Sequence, residues 1–195
     1  MVAATVQEGT PGWLTGAGKG WITAEYALLP RSVPQRKERR ISGREKEISR
    51  IVGRSLRAGV NLEAMEGFTI IVDCDVIQAD AGTRCACITG GFVALSRALQ
   101  SLMEAGAIAT NPIKTAIAGV SVAVVKGEIL LDPDYEEDSS ADVDANIVFN
   151  RQGHLVELGM TAEHQAISPK TLSEMIEIGW QGAEHLFRIQ KEALP

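Results

Sequence analysis

The residue types best suited to chemistry in this chain lie in one stretch, Asp73 to Arg84, which closes on Gly82, Thr83 and Arg84. The pattern predicts a buried strand, a tight glycine turn and the start of an apolar helix. A helix start carries unpaired backbone N–H groups and a partial positive charge, so a hydroxyl and a guanidinium placed there can bind phosphate. Gly82 permits a tight backbone turn, and Arg84 offers two parallel donors to phosphate oxygens. The stretch therefore predicts a phosphate site.

A second candidate phosphate ligand is Arg44, in the first turn of another predicted helix. Ser42 and Glu45 form the capping-box pattern that marks the start of this helix. The positive end of the helix dipole disfavours a cation in the first turn. A cation kept at such a position indicates a functional role. The alternative is a solvated arginine that pairs with Glu45 or Glu47.

An acidic segment, residues 132–144, holds seven acids and no base. Asp138 and Asp144 are separated by a short linker, so a loop could fold both carboxylates onto one site. A hard cation such as Mg²⁺ binds through carboxylates of this kind. Asp142, which lies between them, is expected to be exposed. The alternative is an ordinary solvated acidic loop.

Basic residues are concentrated elsewhere, although the net charge of the whole chain is −6. Residues 31–57 hold ten Lys and Arg against three Glu, and the basic loop at 30–41 supplies Arg31, Arg36 and Arg39. No aromatic residue is interleaved, so this loop would contact the phosphates of a nucleic acid rather than stack on its bases. The alternative is a flexible, solubilising loop. A basic arm beside an acidic segment is typical of polyanion binding next to a divalent cation.

Composition limits the classes of protein that the chain can belong to. With 195 residues, 45% of them hydrophobic, it is predicted to form a single soluble domain over 1–195, or two small lobes around a shared core. Three cysteines, an odd number, suit buried thiols in a reducing cytoplasm. No secretory leader is visible, and no apolar run is expected to span a membrane. The three histidines lie too far apart for a zinc set or a catalytic triad.

The order of elements is an α+β pattern, with strands mixed among three helices. Helices are predicted from Ser42 onward, from about Arg84 to Ala105, and from Ser168-Pro169 to about Ala193, where proline suits the first helical position. Strands are predicted near 1–8, 21–29, 68–78, 117–125, 129–131, 145–149 and 155–158.

Five segments, in order along nearly the whole chain, carry a resemblance to a known family. They are GKGWITAEYALLPRS at 18–32, GREKEISRIVGRSLRA at 43–58, DCDVIQADAGTR at 73–84 with ITGGFVAL after it, TNPIKTAIAGVSVAVVKGEILLD at 110–132, and EEDSSADVDANIV at 136–148. Together they resemble bacterial ribonuclease PH, the phosphate-dependent 3′ exoribonuclease family that matures transfer RNA. The resemblance implies an α+β, ribonuclease PH-like fold, with a mixed sheet and three helices, related to a domain of a ribosomal protein.

The resemblance also implies an activity and an assembly. Inorganic phosphate would be the co-substrate, Mg²⁺ the metal, transfer RNA precursors the substrate, and nucleoside diphosphates the released product. The family assembles as a hexameric ring, a trimer of dimers. The matching residues would be Arg44, Gly82, Thr83 and Arg84 for phosphate, Asp138 and Asp144 for catalysis and metal, and Arg31, Arg36 and Arg39 for RNA.

Some positions depart from the family pattern. The match starts in the middle of an early family strand, so the usual first strands are expected to be missing, and the basic loop to be a few residues short. Met160 stands where the family has glycine, so Glu163 is given no role. Two alternatives stay open: a non-catalytic RNA-binding or ring-forming subunit of an exosome-like assembly, and a fragment that cannot fold alone. Retention of the whole candidate site favours the enzyme, because an inactive paralogue need not keep it.

Overall fold

The computed structural model describes residues 1–40 and 42–194, so Ile41 of the predicted basic loop and Pro195 lie outside the described residues. Within the described residues the fold has seven strands and four α-helices, with short 3₁₀ turns at Gly12–Leu14 and Leu62–Met65. The strands are β1 Val2–Glu8, β2 Trp21–Leu28, β3 Phe68–Val76, β4 Ile117–Val125, β5 Glu128–Leu131, β6 Val143–Asn150 and β7 Leu155–Ala162. The helices are α1 Gly43–Ala58, α2 Thr83–Glu104, α3 Tyr135–Ser139 and α4 Pro169–Ala193.

The strands form two sheets rather than the single mixed sheet predicted. The first has the order β1-β3-β2, in which β3 is antiparallel to β1 and parallel to β2. The second has the order β5-β4-β6-β7 and is antiparallel throughout. A fourth helix, α3, also adds to the three predicted, because Asp134 and Glu137 form a capping box inside the acidic segment. The α+β class itself is confirmed.

Helix α2 joins the two halves of the fold. Its side chains Phe92, Leu95 and Leu99 are buried in the cluster that it shares with the first sheet, and the helix also packs on β4. Gly119 of β4 allows a close approach, since a Cβ atom there would lie 3.2 Å from the Cα of Cys85. Helix α4 covers the other side of β4 and encloses a second hydrophobic cluster. The prediction of a single domain stays a prediction.

Helix α2 is also long and apolar enough, by length and composition alone, to cross a membrane. The sequence analysis expected no such run, because glycine interrupts the apolar residues. Half of the apolar window is buried within the fold, where it packs against both sheets. Because the hydrophobic effect favours burial of an apolar helix between two sheets, this packing accounts for the composition of α2 as a core helix.

Candidate active site

The predicted phosphate turn, Gly82 to Arg84, forms the N-terminus of α2 as expected. Gly82 is the N-cap residue and has a φ angle of 54°, in the left-handed region that favours glycine. It has no side chain that could cap the helix, and Thr83 and Arg84 are the first two helical residues. The first backbone N–H groups of α2 are therefore left for a ligand, which is the arrangement that binds phosphate at helix starts.

Tyr26 of β2 reaches the phosphate turn from below, and the sequence analysis missed it. Its hydroxyl oxygen lies 2.8 Å from Oγ1 of Thr83, and the residue is only 3% exposed. Burial raises the pKa of Tyr26, while the hydrogen bond to Thr83 lowers it in part. Tyr26 fits the alternating pattern of a half-buried strand, and that pattern indicates only that its side chain packs in the core. The available signal was its hydroxyl, since a buried tyrosine needs a hydrogen-bond partner.

Arg44 lies in the first turn of α1 and faces the same cleft as Thr83 and Arg84. Among the described residues it forms no ion pair with Glu45 or Glu47, so the structure does not support the pairing offered as an alternative. Its positive charge lowers the pKa of Tyr26, which places the guanidinium near the phenol. Arg44 therefore keeps its exposed charge directed at the cleft.

Glu45 holds the basic loop against α1. It is 4% exposed, and its Oε1 lies 2.7 Å from Nζ of Lys37. Its Oε2 accepts a 2.7 Å hydrogen bond from the backbone N–H of Ser42, which completes the predicted capping box. Burial alone would raise its pKa, but the hydrogen bonds from Lys37 and Ser42 lower the pKa to about 2. The carboxylate is thus ionised and committed to structure.

These elements enclose an open cleft with a volume of about 1020 Å³. Its lining includes the side chains of Arg44, Thr83, Arg84, Asp138, Tyr26 and Arg31. Arg36 and Arg39 of the basic loop do not line it and are exposed. The guanidinium of Arg31 donates a 2.9 Å hydrogen bond to the carbonyl of Pro34, within its own loop. The structure therefore brings one of the three candidate RNA ligands to the cleft and leaves two outside it.

The two candidate aspartates come from different elements, not from one acidic loop. Asp138 lies in α3 and lines the cleft, whereas Asp144 is half-buried on β6. The pKa of Asp144 is raised by burial first and then by the negative charge of Asp138, while Arg84 opposes both. The three groups are thus close enough to interact. Asp142, expected to be exposed, is partly buried, and its carbonyl accepts hydrogen bonds from the N–H groups of Glu163 and His164.

A hydrogen bond from the first residue of α3 to the loop before the phosphate turn holds this helix at the cleft. The backbone N–H of Tyr135 donates a 3.1 Å hydrogen bond to Oδ1 of Asp80, which precedes the phosphate turn. The contact joins the acidic segment to the loop that carries Gly82. It explains how Asp138 reaches the cleft from a segment more than 50 residues away in sequence.

The acidic pair fits a magnesium ion in charge but does not enclose one. Among residues 1–40 and 42–194 there is no group of three or more His, Cys, Asp or Glu side chains that could hold a metal. Mg²⁺ commonly uses only one or two carboxylates, together with waters and substrate phosphates. Burial is the main cause of the raised pKa of Asp144, and the charge of Asp138 adds to it; a bound cation would relieve this repulsion between the two carboxylates.

Comparison with known proteins decides the family. A model of the 3′ exoribonuclease family, domain 1, matches residues 1–99, and a model of its domain 2 matches residues 115–182. Ribonuclease PH of Prochlorococcus marinus (strain MIT 9313) is 47% identical over 100% of this chain and 81% of that protein. The chain belongs to the ribonuclease PH family. Ribonuclease PH of Saccharopolyspora erythraea is 50% identical over 100% of the chain and 80% of its own length.

Solved structures agree on the fold. The chain superposes on a chain of the Archaeoglobus fulgidus exosome with RNA bound to the active site, with a TM-score of 0.80 over 96% of this chain and 77% of that one. It superposes on rice (Oryza sativa) Rrp46 with a TM-score of 0.74 over 100% of this chain and 83% of that one. Both are 21% identical, so they support the fold alone. The identity to ribonuclease PH, not the exosome likeness, therefore assigns the activity.

Membership of the ribonuclease PH family makes this chain an enzyme, a phosphate-dependent 3′ exoribonuclease that shortens RNA with inorganic phosphate as co-substrate. The resemblance read from the sequence is confirmed.

Proposed function

We propose that the cleft lined by Arg44, Thr83, Arg84 and Asp138 is the phosphorolytic site and that transfer RNA precursors are its substrates. The observation that carries the proposal is the convergence of these four side chains, from α1, α2 and α3, on one open cleft. They are the residues that the family resemblance implies. A cleft open to solvent also suits the entry of a flexible RNA 3′ end.

Phosphate is the attacking group in the proposed reaction. An oxygen of inorganic phosphate attacks the phosphorus of the 3′-terminal phosphodiester, and the bond to the 3′-oxygen of the preceding ribose breaks. The products are a nucleoside diphosphate and an RNA one nucleotide shorter, so no covalent enzyme intermediate is needed. Arg44, Arg84 and the N–H groups at the start of α2 hold the phosphate and stabilise charge in the transition state. Fixing both reactants in line supplies much of the rate enhancement.

Asp138 and Asp144 act on the leaving-group side. Together they would hold Mg²⁺, which when bound supplies a positive charge close to the phosphates. Alternatively, one carboxyl passes a proton to the leaving ribose oxygen, a role that the raised pKa of Asp144 suits. Arg84 lies close enough to Asp144 to influence its pKa, so the phosphate and acidic sides of the cleft adjoin.

The basic loop would contact RNA beyond the cleft. Arg31 lines the cleft, whereas Arg36 and Arg39 project outside it, which suits contacts with successive phosphates of a longer RNA. The Lys37–Glu45 ion pair anchors the middle of the loop and keeps these arginines near the entrance. Contacts of this kind would favour an extended substrate such as a transfer RNA precursor.

We also propose the hexameric ring and a cytoplasmic location. Strand β7 ends the second sheet and exposes Leu155, Leu158 and Met160, and an apolar sheet edge of this kind favours pairing with another chain. The three cysteines are free and buried, which suits a reducing compartment. Sedimentation velocity tests the assembly, and a stable monomer at micromolar concentration would contradict the ring.

The test of the proposed function is a phosphate titration. A 3′-extended transfer RNA is incubated with the protein and Mg²⁺ while shortened RNA and nucleoside diphosphates are quantified. We expect both products to rise together with phosphate and to be absent without it. Shortening without phosphate, or release of nucleoside monophosphates, would contradict the proposal. A folded protein that binds the RNA but releases nothing would favour the non-catalytic subunit.

A further inference from the structure

The buried phenol of Tyr26 lies directly beneath the phosphate turn and outside the set of residues assigned to the reaction. Its oxygen is 2.8 Å from Oγ1 of Thr83, a normal distance for a hydrogen bond between two hydroxyls. Thr83 lines the cleft, as does Tyr26, but Tyr26 is almost fully buried whereas Thr83 is half-buried. The pair therefore joins the protein interior to the surface that receives phosphate.

The direction of this hydrogen bond follows from the surroundings of the two hydroxyls. Each can donate one proton, and only one of them can donate to the other. Among the hydrogen bonds of the described residues, the Tyr26 hydroxyl has Thr83 as its partner and no second acceptor. Burial keeps the pKa of the phenol above its ordinary value, so the phenol stays protonated at neutral pH. If the phenol accepted from Thr83 instead, its own buried proton would have no acceptor among the described residues, which is costly.

We propose that Tyr26 is a positioning residue for phosphate, which donates its proton to Oγ1 of Thr83 and so turns the Thr83 hydroxyl proton outward, toward the anionic co-substrate. The inference rests on the phosphate-binding role proposed for Thr83. Among the described residues the Thr83 hydroxyl has no other hydrogen-bond partner, and Thr83 lines the cleft, so its proton is available to a ligand there. An anionic oxygen there is the acceptor that such a donor favours.

The backbone of Tyr26 makes a second link, which joins β2 to α1. The N–H of Tyr26 donates to Oγ of Ser49 at 3.0 Å, and the Ser49 hydroxyl donates to the carbonyl of Glu45 at 3.0 Å. Glu45 follows Arg44 in the first turn of α1. Strand β2 is thus hydrogen-bonded to α1 through its backbone and, separately, to α2 through the Tyr26 side chain, so the Ser49 link can be removed while the bond from the phenol to Thr83 stays.

The variant Tyr26→Phe tests the inference because it removes the hydroxyl and keeps the buried ring. We expect the KM for phosphate to rise about fivefold, the effect of one lost hydrogen bond. Both kcat and the KM for RNA should stay within about twofold, since the buried Tyr26 is proposed to act only through Thr83. A merely structural defect would not raise the KM for phosphate alone, so this constant is the informative readout.

A double-mutant cycle with Thr83→Val shows whether Tyr26 acts through Thr83. We expect Tyr26→Phe to have no further effect on the KM for phosphate once the Thr83 hydroxyl is gone. Equal effects in both backgrounds, or no effect of Tyr26→Phe on wild type, would overturn the inference. If Tyr26→Phe has no effect on wild type but Thr83→Val still raises the KM for phosphate, the proposed phosphate site stands without the role of Tyr26.

Ser49→Ala is the matched control, since it removes the hydrogen bond to the backbone of Tyr26 and leaves the phenol in place. We expect a lower melting temperature but an unchanged KM for phosphate. A fivefold rise in that KM for Ser49→Ala as well would overturn the inference, because general loosening of β2 would then explain both variants. Wild-type activity that needs no phosphate would instead refute the proposed function, and the inference with it.

Discussion

Lys37 of the basic loop and Glu45 of α1 form a 2.7 Å ion pair at the edge of the cleft, and Glu45 is almost fully buried. The same carboxylate caps the helix through Ser42. Because a single side chain anchors the loop and starts the helix that carries Arg44, it couples the two basic parts of the site.

The variant Glu45→Gln should lower the free energy of unfolding by about 2 kcal/mol at pH 7. The pKa of Glu45 is about 2 in the folded protein, below its ordinary value of 4.5. Its ionic stabilisation is therefore fully present above pH 4.5 and is lost as the pH falls toward 2. Urea unfolding at pH 7 and pH 3 should show a smaller difference between wild type and variant at pH 3. An equal difference at both pH values would contradict this assignment.

Arg84→Ala and Arg44→Ala should each lower kcat/KM for phosphate by about 100-fold or more, because each removes a charged donor from the transition state. The matched controls are Arg97→Ala, later on α2, and Arg50→Ala, later on α1, neither of which lines the cleft. They should change kcat/KM by less than about twofold. Steady-state kinetics with varied phosphate measures both effects. Intact phosphate-dependent activity in Arg84→Ala would refute the phosphate site.

The midpoint of the acidic limb of the pH–rate profile should lie above the ordinary pKa of an aspartate. Burial, and then the charge of Asp138, raise the pKa of Asp144, and Glu163 raises it further. If the ionised carboxylate holds the metal, activity falls as the pH drops through this raised pKa. Glu163→Gln should then move the limb to lower pH, whereas Glu177→Gln, an exposed residue on α4, should not. If both variants show the same acidic limb as wild type, the role of Asp144 is contradicted.

Gly119→Ala should destabilise the protein by about 1 to 3 kcal/mol, because the added methyl group would lie 3.2 Å from the Cα of Cys85. Cys85 directly follows Arg84, so the shift of α2 should also lower kcat/KM for phosphate by about tenfold. Gly159→Ala on β7 is the control, since nothing lies within 4 Å of its added Cβ. Thermal unfolding and phosphate kinetics measure the two effects. Unchanged values for Gly119→Ala would contradict the close approach of α2 to β4.

The double variant Arg36→Ala/Arg39→Ala should weaken RNA binding most at low salt. Each lost phosphate contact on a single strand should reduce the slope of log affinity against log salt by about 0.7. The KM for phosphate should not change, because neither arginine lines the cleft. Arg188→Ala on α4 is the control for a lost surface charge. A slope equal to that of wild type would assign the basic loop a solubilising role instead.

Local features were predictable from the sequence because they depend on groups only a few residues apart. The Ser42 and Glu45 capping box and the Ser168 N-cap both formed as predicted, since each joins a side chain to a backbone N–H three residues away. Helix α2 begins at Thr83, one residue before the predicted Arg84, and Gly82 forms the predicted tight turn at its N-cap. Helix α3 was missed although its capping box is just as local, because the acidic run was interpreted as a loop.

Distant pairings could not be predicted from spacing. Tyr26 and Thr83 are 57 residues apart, and their contact depends on β2 lying parallel to β3, next to the helix that follows β3. Asp144 likewise seemed part of a loop with Asp138, but pairing with β4 and β7 places it on a strand. The strands form two sheets that both pack against α2, and no local pattern encodes that packing.

The sequence by itself determined the family, the approximate starts of α1, α2 and α4, and the candidate phosphate and acidic residues, because these lie in long matching segments or in local backbone patterns. Only the tertiary structure decided which of them meet. It brought Arg31, Arg44, Arg84 and Asp138 to one cleft, left Arg36 and Arg39 outside it, and set Tyr26 beneath Thr83. The physical reason is that burial of α2 between two sheets fixes the positions of the loops at its N-terminus, and that burial is a property of the whole chain.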